Sequence, residues 1–377
     1  MMKRTELLWL LLGILAVGSF AVRASAQEKT LKAAFAADFR VGVALGTAQI
    51  EGAEPQALEL AAQQFNATTP ENLMKWAPIH PELEKYNFEP ADKYVAWGEA
   101  HGMFVGGHTL VWHNQTPKWV FEDAAGQPIG KDALLARMRD HIYAVVGRYK
   151  GRVKCWDVVN EAVDDDGSLR QTPWLKIIGP EYLAKAFQFA HEADPAAELY
   201  YNDFNEWHAV KRAGIIKLVR DLQQQGVQVD GLGLQGHWGL DYPQIAEIEE
   251  MFDDYARLGV KLMITEVDMD VLPKGVARPG ADVERREASL ENPYRDGLPP
   301  KVVQAQTERY AAIFAAFVRH RDLIDRVTFW GVHDGHSWLN DWPMRGRTAY
   351  PLLFDRKYQP KGAYAAVLST ATEAAKK

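Results

Sequence analysis

From about residue 31 onward the chain repeats one rhythm, a short, nearly continuous apolar run followed by a longer amphipathic stretch. The apolar runs are RVGVALGT, FNATT, MFVGGHTLVW, VKCWDVVNE, ELYYNDFN, GLGLQGHW, KLMITEVDMD and RVTFWGVHD. Between most of them lie helical patterns such as LLARMRDHIYAVVGRYKG, YLAKAFQFAHEAD and AGIIKLVRDLQQQG. A strand that is apolar on both faces must be covered on both, which parallel βα units achieve. Eight such units over about 350 residues fit the α/β class and a single closed (β/α)8 TIM barrel better than an open doubly wound sheet. No Pro/Gly/Ser-rich linker and no solenoid-length repeat divides the chain, so residues 27–377 are expected to form one domain. Val271 to Pro300, rich in charge, Gly and Pro, breaks the rhythm and reads as a long loop after the seventh strand, and ATEAAKK reads as a frayed tail.

In this fold the active site lies at the carboxyl ends of the strands. Polar residues gather at those ends here: GGHTLVWHNQ, WDVVNEA, YYNDFN, LQGHW, ITEVDMD and WGVHDGHSW. Glu161 and Glu266 stand out, because both sit among apolar neighbours where burial shifts a carboxyl pKa. The fourth and seventh strands face each other across a barrel of eight, so a bond held between the two carboxyls can be attacked from one side and protonated from the other. That arrangement suits glycoside hydrolysis.

Strand alternation refines the picture. Glu266 and Asp268 share a face, as do Gln235 and His237, and Asp157 and Glu161. An inward His237 among Glu266, Asp268 and Asp157 is expected to form a network that orients a charged carboxylate. Asn160 points away from Glu161 in a regular strand, so if both serve one ligand the fourth strand must bulge or end there.

The formal charge of −7 carries no basic block, which argues against a nucleic-acid partner or an anionic membrane surface and suits an uncharged ligand. Twelve Trp and fourteen Tyr exceed ordinary packing needs and suit stacking on sugars or bases. Lys3 and Arg4, an apolar run from Leu7 to about Val22, and Ala24-Ser25-Ala26 form a secretory leader pattern. Residues 1–26 are therefore expected to be removed on export, to the periplasm or the medium, with no stable membrane insertion afterwards. The single cysteine, Cys155, excludes an internal disulfide and reads as a small buried hydrophobe.

Other chemistries fit less well. GLGLQG matches a dinucleotide-binding pattern, but it reads as strand and does not open a helix. The histidines in HDGH and GHTLVWH form no closed metal-ligand set, and no G-x-S-x-G elbow is present. The sequons at Asn66 and Asn114 lie inside strand and rim motifs and read as chance.

Taken in order, TTPENLMKW, GHTLVWHNQTPKW, WDVVNEAV, YYNDFN, GLQGHW, ITEVDMD and WGVHDGHSW resemble glycoside hydrolase family 10, the endo-β-1,4-xylanases, over nearly all of the chain after the leader. The resemblance implies a retaining hydrolase of xylan that needs no cofactor or metal and acts as a monomer. It implies Glu161 as acid/base and Glu266 as nucleophile, with His237, Asp268 and Asp157 orienting the nucleophile. Asn160 is similar to the asparagine that binds the sugar 2-hydroxyl beside the cleaved linkage. Glu71, Asn72 and Lys75 resemble binders of the sugar further out on the non-reducing side. His108, Trp112, Gln235, Trp330 and Trp338 resemble walls of the central subsites, and Tyr201 and Asn202 groups on the leaving-group side. It further implies that the field of Glu266 keeps Glu161 protonated. Two departures stand out: Asn114 occupies a position where serine is common, and HDGH replaces the usual residues before SW. Related barrels acting on β-glucan, or binding carbohydrate without turnover, are the alternatives.

Overall fold

The computed structural model describes residues 30–273, 282 and 292–374. The leader, residues 1–26, and most of the Val271–Pro300 segment lie outside the described residues.

The apolar runs form parallel strands: β1 (Arg40–Leu45), β2 (Ala67–Pro70), β3 (Phe104–Val111), β4 (Cys155–Asn160), β5 (Glu198–Asp203), β6 (Gly231–Leu234), β7 (His237–Gly239), β8 (Lys261–Asp270) and β9 (Ile324–Phe329). β1 through β6 pair in sequence, β6 pairs β8, β8 pairs β9, and β9 returns to β1, which closes a (β/α)8 TIM barrel with helices between the strands. β7 continues the line of β6 and pairs only the far end of β8. The sixth apolar run is therefore one strand broken at Gln235–Gly236. Gly236 has φ +77°, and a Cβ there would lie 2.9 Å from Ile264 Cγ2, so glycine is what lets the chain turn so close to β8.

The strands are apolar on both faces because helices cover the outside while side chains fill the inside. On the outer layer the helix Tyr182–Ala193 buries Leu183, Ala186, Phe187 and Ala190 at helical spacing. Inside, Cys155, Tyr200 and Met263 cluster beneath the strand mouths. Cys155 is buried as expected, but it also accepts both Arg326 guanidinium nitrogens at 3.4 Å, with Met263 Sδ 3.0 Å from one of them. Burial pushes its thiol up to about 11 against the pull of Arg326.

Of the tail expected to fray, residues 371–374 continue a helix and residues 375–377 lie outside the described residues. A helix runs Gly362–Ala374, with Val367 and Ala371 buried and Tyr364 bonded to Gln64 at 3.0 Å. Packing against the helix Pro300–Arg319 outweighs weak intrinsic end stability. Among the described residues no helix is long and apolar enough to cross a membrane.

Candidate active site

A cleft of about 630 Å³ opens at the carboxyl ends of the strands. Twelve of the sequence-selected residues line it: Glu71, Asn72, Lys75, His108, Trp112, Asn160, Glu161, Gln235, His237, Glu266, Trp330 and Trp338. They converge because they sit in the carboxyl-terminal halves of the strands or in the segments that follow them.

The backbone breaks its pleat where Asn160 and Glu161 require it. The β4–β5 register shifts between Asp157 and Val159, β4 ends at Asn160, and Glu161 takes φ +58°. A left-handed glutamate costs about 1–3 kcal/mol. The bond from Glu161 N to Asn202 O, 2.9 Å, and that from Arg170 Nε to Glu161 O, 3.1 Å, fix it in place. Both neighbours then reach the cleft, which a regular strand forbids.

Glu161 is buried and its carboxyl group accepts two hydrogen bonds, from Trp112 Nε1 to Oε2 at 2.7 Å and from Gln235 Nε2 to Oε1 at 2.9 Å. Burial raises its pKa first, the two donors oppose this, and the charge of Glu266 adds to the rise. Burial among apolar neighbours is thus a larger cause of the rise than the field of Glu266.

Glu266 is equally buried yet moves the other way. Burial would raise it, but the His237 hydrogen bond and the charges of His108, His237 and Lys75 outweigh burial and hold its pKa below the usual range. Asn202 Nδ2 donates to Oε1 at 2.8 Å, and His237 Nε2 lies 3.1 Å from Oε2. His237 Nδ1 lies 2.8 Å from Asp268 Oδ1, whose other oxygen accepts Trp338 Nε1 at 2.6 Å. Carboxylates only accept, so both ring nitrogens donate and His237 is an imidazolium. Burial alone would lower its pKa, but the charge and hydrogen bond of Asp268, with Glu266, raise it to about 10.

Three expectations need correction. Asp157 does not meet His237: its Oδ2 lies 2.8 Å from His108 Nδ1, because the two face each other across the β3–β4 pairing. Tyr201 does not reach the cleft. It is wholly buried, and its hydroxyl accepts Ala162 N and Val163 N and donates to Asp203, which anchors the chain after Glu161. Asn202 is also buried behind the cleft, bonding Glu266, Asn160 Oδ1 at 2.9 Å and Thr265 Oγ1 at 2.7 Å. Alternation puts one of these neighbours on each side of β5, and neither side there is solvent.

The ammonium of Lys75 lies 3.1 Å from Asn72 Oδ1 and 4.8 Å from the Trp112 ring centroid. Burial lowers its pKa, against the fields of Glu266, Glu71 and Glu161. Trp330 packs edge-on to His108 and His237, and Trp338 lies 5.0 Å from Trp342. Asp341 and Trp342 also line the cleft and were not singled out from sequence, although the aromatic density of WGVHDGHSWLNDW signalled Trp342. Among the described residues no group of three or more His, Cys, Asp or Glu is set to hold a metal ion.

A buried carboxyl group with raised pKa opposite a buried carboxylate with lowered pKa, in a groove with indole walls and amide donors, can protonate one side of a neutral ligand and attack the other. Comparisons with known proteins agree with that chemistry. The family model described as Glycosyl hydrolase family 10 matches residues 30–370. Endo-1,4-beta-xylanase A of Xylanibacter ruminicola is 42% identical over 337 residues, covering 89% of this chain and 91% of that protein. The endo-1,4-beta-xylanase of Geobacillus stearothermophilus is 43% identical over 338 residues, covering 89% and 96%. Among solved structures, a GH10 endoxylanase from a sugarcane soil metagenome superposes with a TM-score of 0.87 at 47% identity, covering 90% of this chain and 99% of that one. Xylanase XynB of Paenibacillus barcinonensis, complexed with a conduramine derivative, gives a TM-score of 0.82 at 42% identity, covering 91% and 99%.

Proposed function

The chain belongs to glycosyl hydrolase family 10, and from that premise we propose that it is an endo-1,4-β-xylanase acting by retaining double displacement, with Glu266 as nucleophile and Glu161 as acid/base. The observation that carries this reading is the pair of buried carboxyl groups in one cleft whose pKa values are shifted in opposite directions by their different partners.

In the first step a Glu266 oxygen attacks the anomeric carbon while Glu161 delivers its proton to the leaving oxygen, giving a glycosyl-enzyme ester and a free sugar hydroxyl. Ester formation removes the charge of Glu266, so the pKa of Glu161 falls. Glu161 then takes a proton from water as that water attacks the anomeric carbon, and Glu266 leaves as carboxylate. Both steps balance with carboxyl groups and water alone, so no cofactor is required.

His237, held by Asp268, keeps Glu266 charged and oriented, and Asp157 acts through His108, whose charge bears on Glu266. The Oδ1 of Asn160 accepts from Asn202 and Gln235, so its Nδ2 is the group for the sugar 2-hydroxyl. Glu71, Asn72 and Lys75 bind the sugar further out, while Trp112, Trp330 and Trp338 form stacking walls. The leader pattern supports export, to the periplasm or the medium, and the active form is a monomer with xylan as its partner.

The test is reducing-sugar release from xylan against cellulose, with the first-formed anomer followed by proton NMR. Xylan preference with β-configured initial product is expected. Equal or greater release from cellulose overturns the substrate, and an α-configured product overturns the mechanism.

A further inference from the structure

The HDGH segment, one of the two departures in the sequence, is not used by the chemistry above, yet it reaches the cleft from behind. His336 ends the turn Asp334–His336 after β9. Its Nε2 lies 3.4 Å from Glu71 Oε2, and its Nδ1 3.6 Å from Glu54 Oε1. These are ion-pair distances with one carboxylate facing each ring nitrogen. Glu54 is itself held in place: its Oε2 accepts Gln49 Nε2 at 2.8 Å and faces His333 Nε2 at 3.3 Å. The two histidines of the segment differ in state. His333 Nδ1 accepts Gly335 N at 3.2 Å, so its single proton sits on Nε2, facing Glu54. His336 has an acceptor on both sides and is satisfied only with both nitrogens protonated.

The backbone has been cleared for this contact. Gly46 follows β1, and a Cβ there would lie 2.5 Å from His336 Nε2 and 2.8 Å from Glu71 Oε2. Gln49 accepts Gly46 N at 2.7 Å and so ties the same turn to Glu54. Glu71 lines the cleft and His336 does not, so the histidine works through the carboxylate.

We propose that His336 is a positioning residue: as an imidazolium between Glu54 and Glu71, it holds the Glu71 carboxylate aimed at the second sugar on the non-reducing side, so that recognition of that sugar depends on its proton. This rests on the reading of Glu71 as a sugar binder. The groups facing His336 are Glu71 from the segment after β2, Glu54 from the loop before the helix Pro55–Gln64, and His333 from its own segment. Lys75 bears on Glu71, and Arg356 and Tyr358 lie around His333. The Glu71 contact, with the charge of Glu54, outweighs burial and keeps His336 protonated above its ordinary range.

The experiment compares two substrates with the same aryl leaving group, an aryl β-xyloside that fills only the site next to the cleaved bond and an aryl β-xylobioside that also reaches Glu71. In the wild type the ratio of kcat/KM, bioside over xyloside, falls as pH rises through the His336 titration. In His336→Gln the ratio is about tenfold lower, as expected for loss of one charge-assisted contact, and flat with pH. Glu54→Gln, which reaches the same pair from the other side, lowers the ratio in the same direction, and His336→Lys restores part of it without the pH dependence. Equal losses on both substrates, an unchanged ratio in both His336→Gln and Glu54→Gln, or a wild-type ratio flat from pH 5 to 9, each overturn the proposal while leaving the xylanase reading intact. Failure of the wild type to cleave either substrate overturns that reading and this proposal with it.

Discussion

Trp112 Nε1 donates to Glu161 Oε2 at 2.7 Å, so the buried carboxyl group proposed to give up a proton is held by a donor that favours its charged form. Burial pushes Glu161 towards the neutral acid, and Trp112 and Gln235 push back. The balance leaves a group that can serve as acid in one step and base in the next.

Trp112→Phe keeps a ring against Lys75 but removes the donor. The pKa of Glu161 then rises, and the basic limb of the kcat/KM profile, which reports loss of the protonated acid, moves to higher pH. Activity at the optimum falls about tenfold, the worth of one charge-assisted hydrogen bond. A pH profile on xylan decides it, and a basic limb that stays put or moves to lower pH counts against the assignment.

Glu266→Gln preserves the shape of the side chain and its contact with Asn202 while removing the nucleophilic charge. Turnover is expected to fall by about 10⁴-fold or more while binding persists. Calorimetric titration with xylo-oligosaccharide alongside initial rates tests both halves, and undiminished hydrolysis would sink the role of Glu266.

His237→Asn removes the hydrogen bond and charge that depress Glu266, so the acid limb of kcat/KM should shift to higher pH. Stability changes as well. The folded pKa of His237 is about 10, above its ordinary value, so its contribution is complete below about pH 6.5 and is lost as pH rises through about 10. Urea unfolding from pH 6.5 to 10 should therefore show a decline in the wild type that the variant lacks.

His141 and His80 share a buried contact, Nδ1 to Nδ1 at 3.2 Å, with His141 stacked 3.7 Å from Trp76. His80 Nε2 donates to Leu83 O, so its Nδ1 accepts and His141 donates, leaving His141 Nε2 buried with no partner among the described residues. Burial lowers both pKa values, and that of His141 falls well below the ordinary range. A depressed histidine stabilises the fold above its unfolded pKa and loses that contribution as pH falls. Stability should drop below about pH 6.5 by up to about 1.4 kcal/mol per pH unit for each histidine. His141→Phe should give a shallower acid slope in thermal unfolding, and an equal slope would refute the assignment.

Much of the site was legible because barrels place function at strand ends. Glu161 ended one apolar run and Glu266 stood within another, and Asn160 beside Glu161 required a broken pleat, which the shifted register and the φ of Glu161 supply. Asp341 and Trp342 were missed because they follow the last strand motif in a loop whose path no periodicity specifies. Asp157 was assigned to the wrong histidine because alternation gives the face of a strand and not which neighbour stands across from it.

The sequence by itself determined the eight-strand rhythm, the inward faces and the two glutamates, because burial imposes a period that residue order records directly. Only the tertiary structure decided several of the partners: His108 for Asp157, Trp112 for Glu161, and the retreat of Tyr201 and Asn202 behind the cleft. The physical reason is range. Periodicity is a property of residues a few positions apart, whereas the burial, hydrogen bonds and charges that shift the two glutamate pKa values in opposite directions arise only when the barrel closes and brings distant residues together.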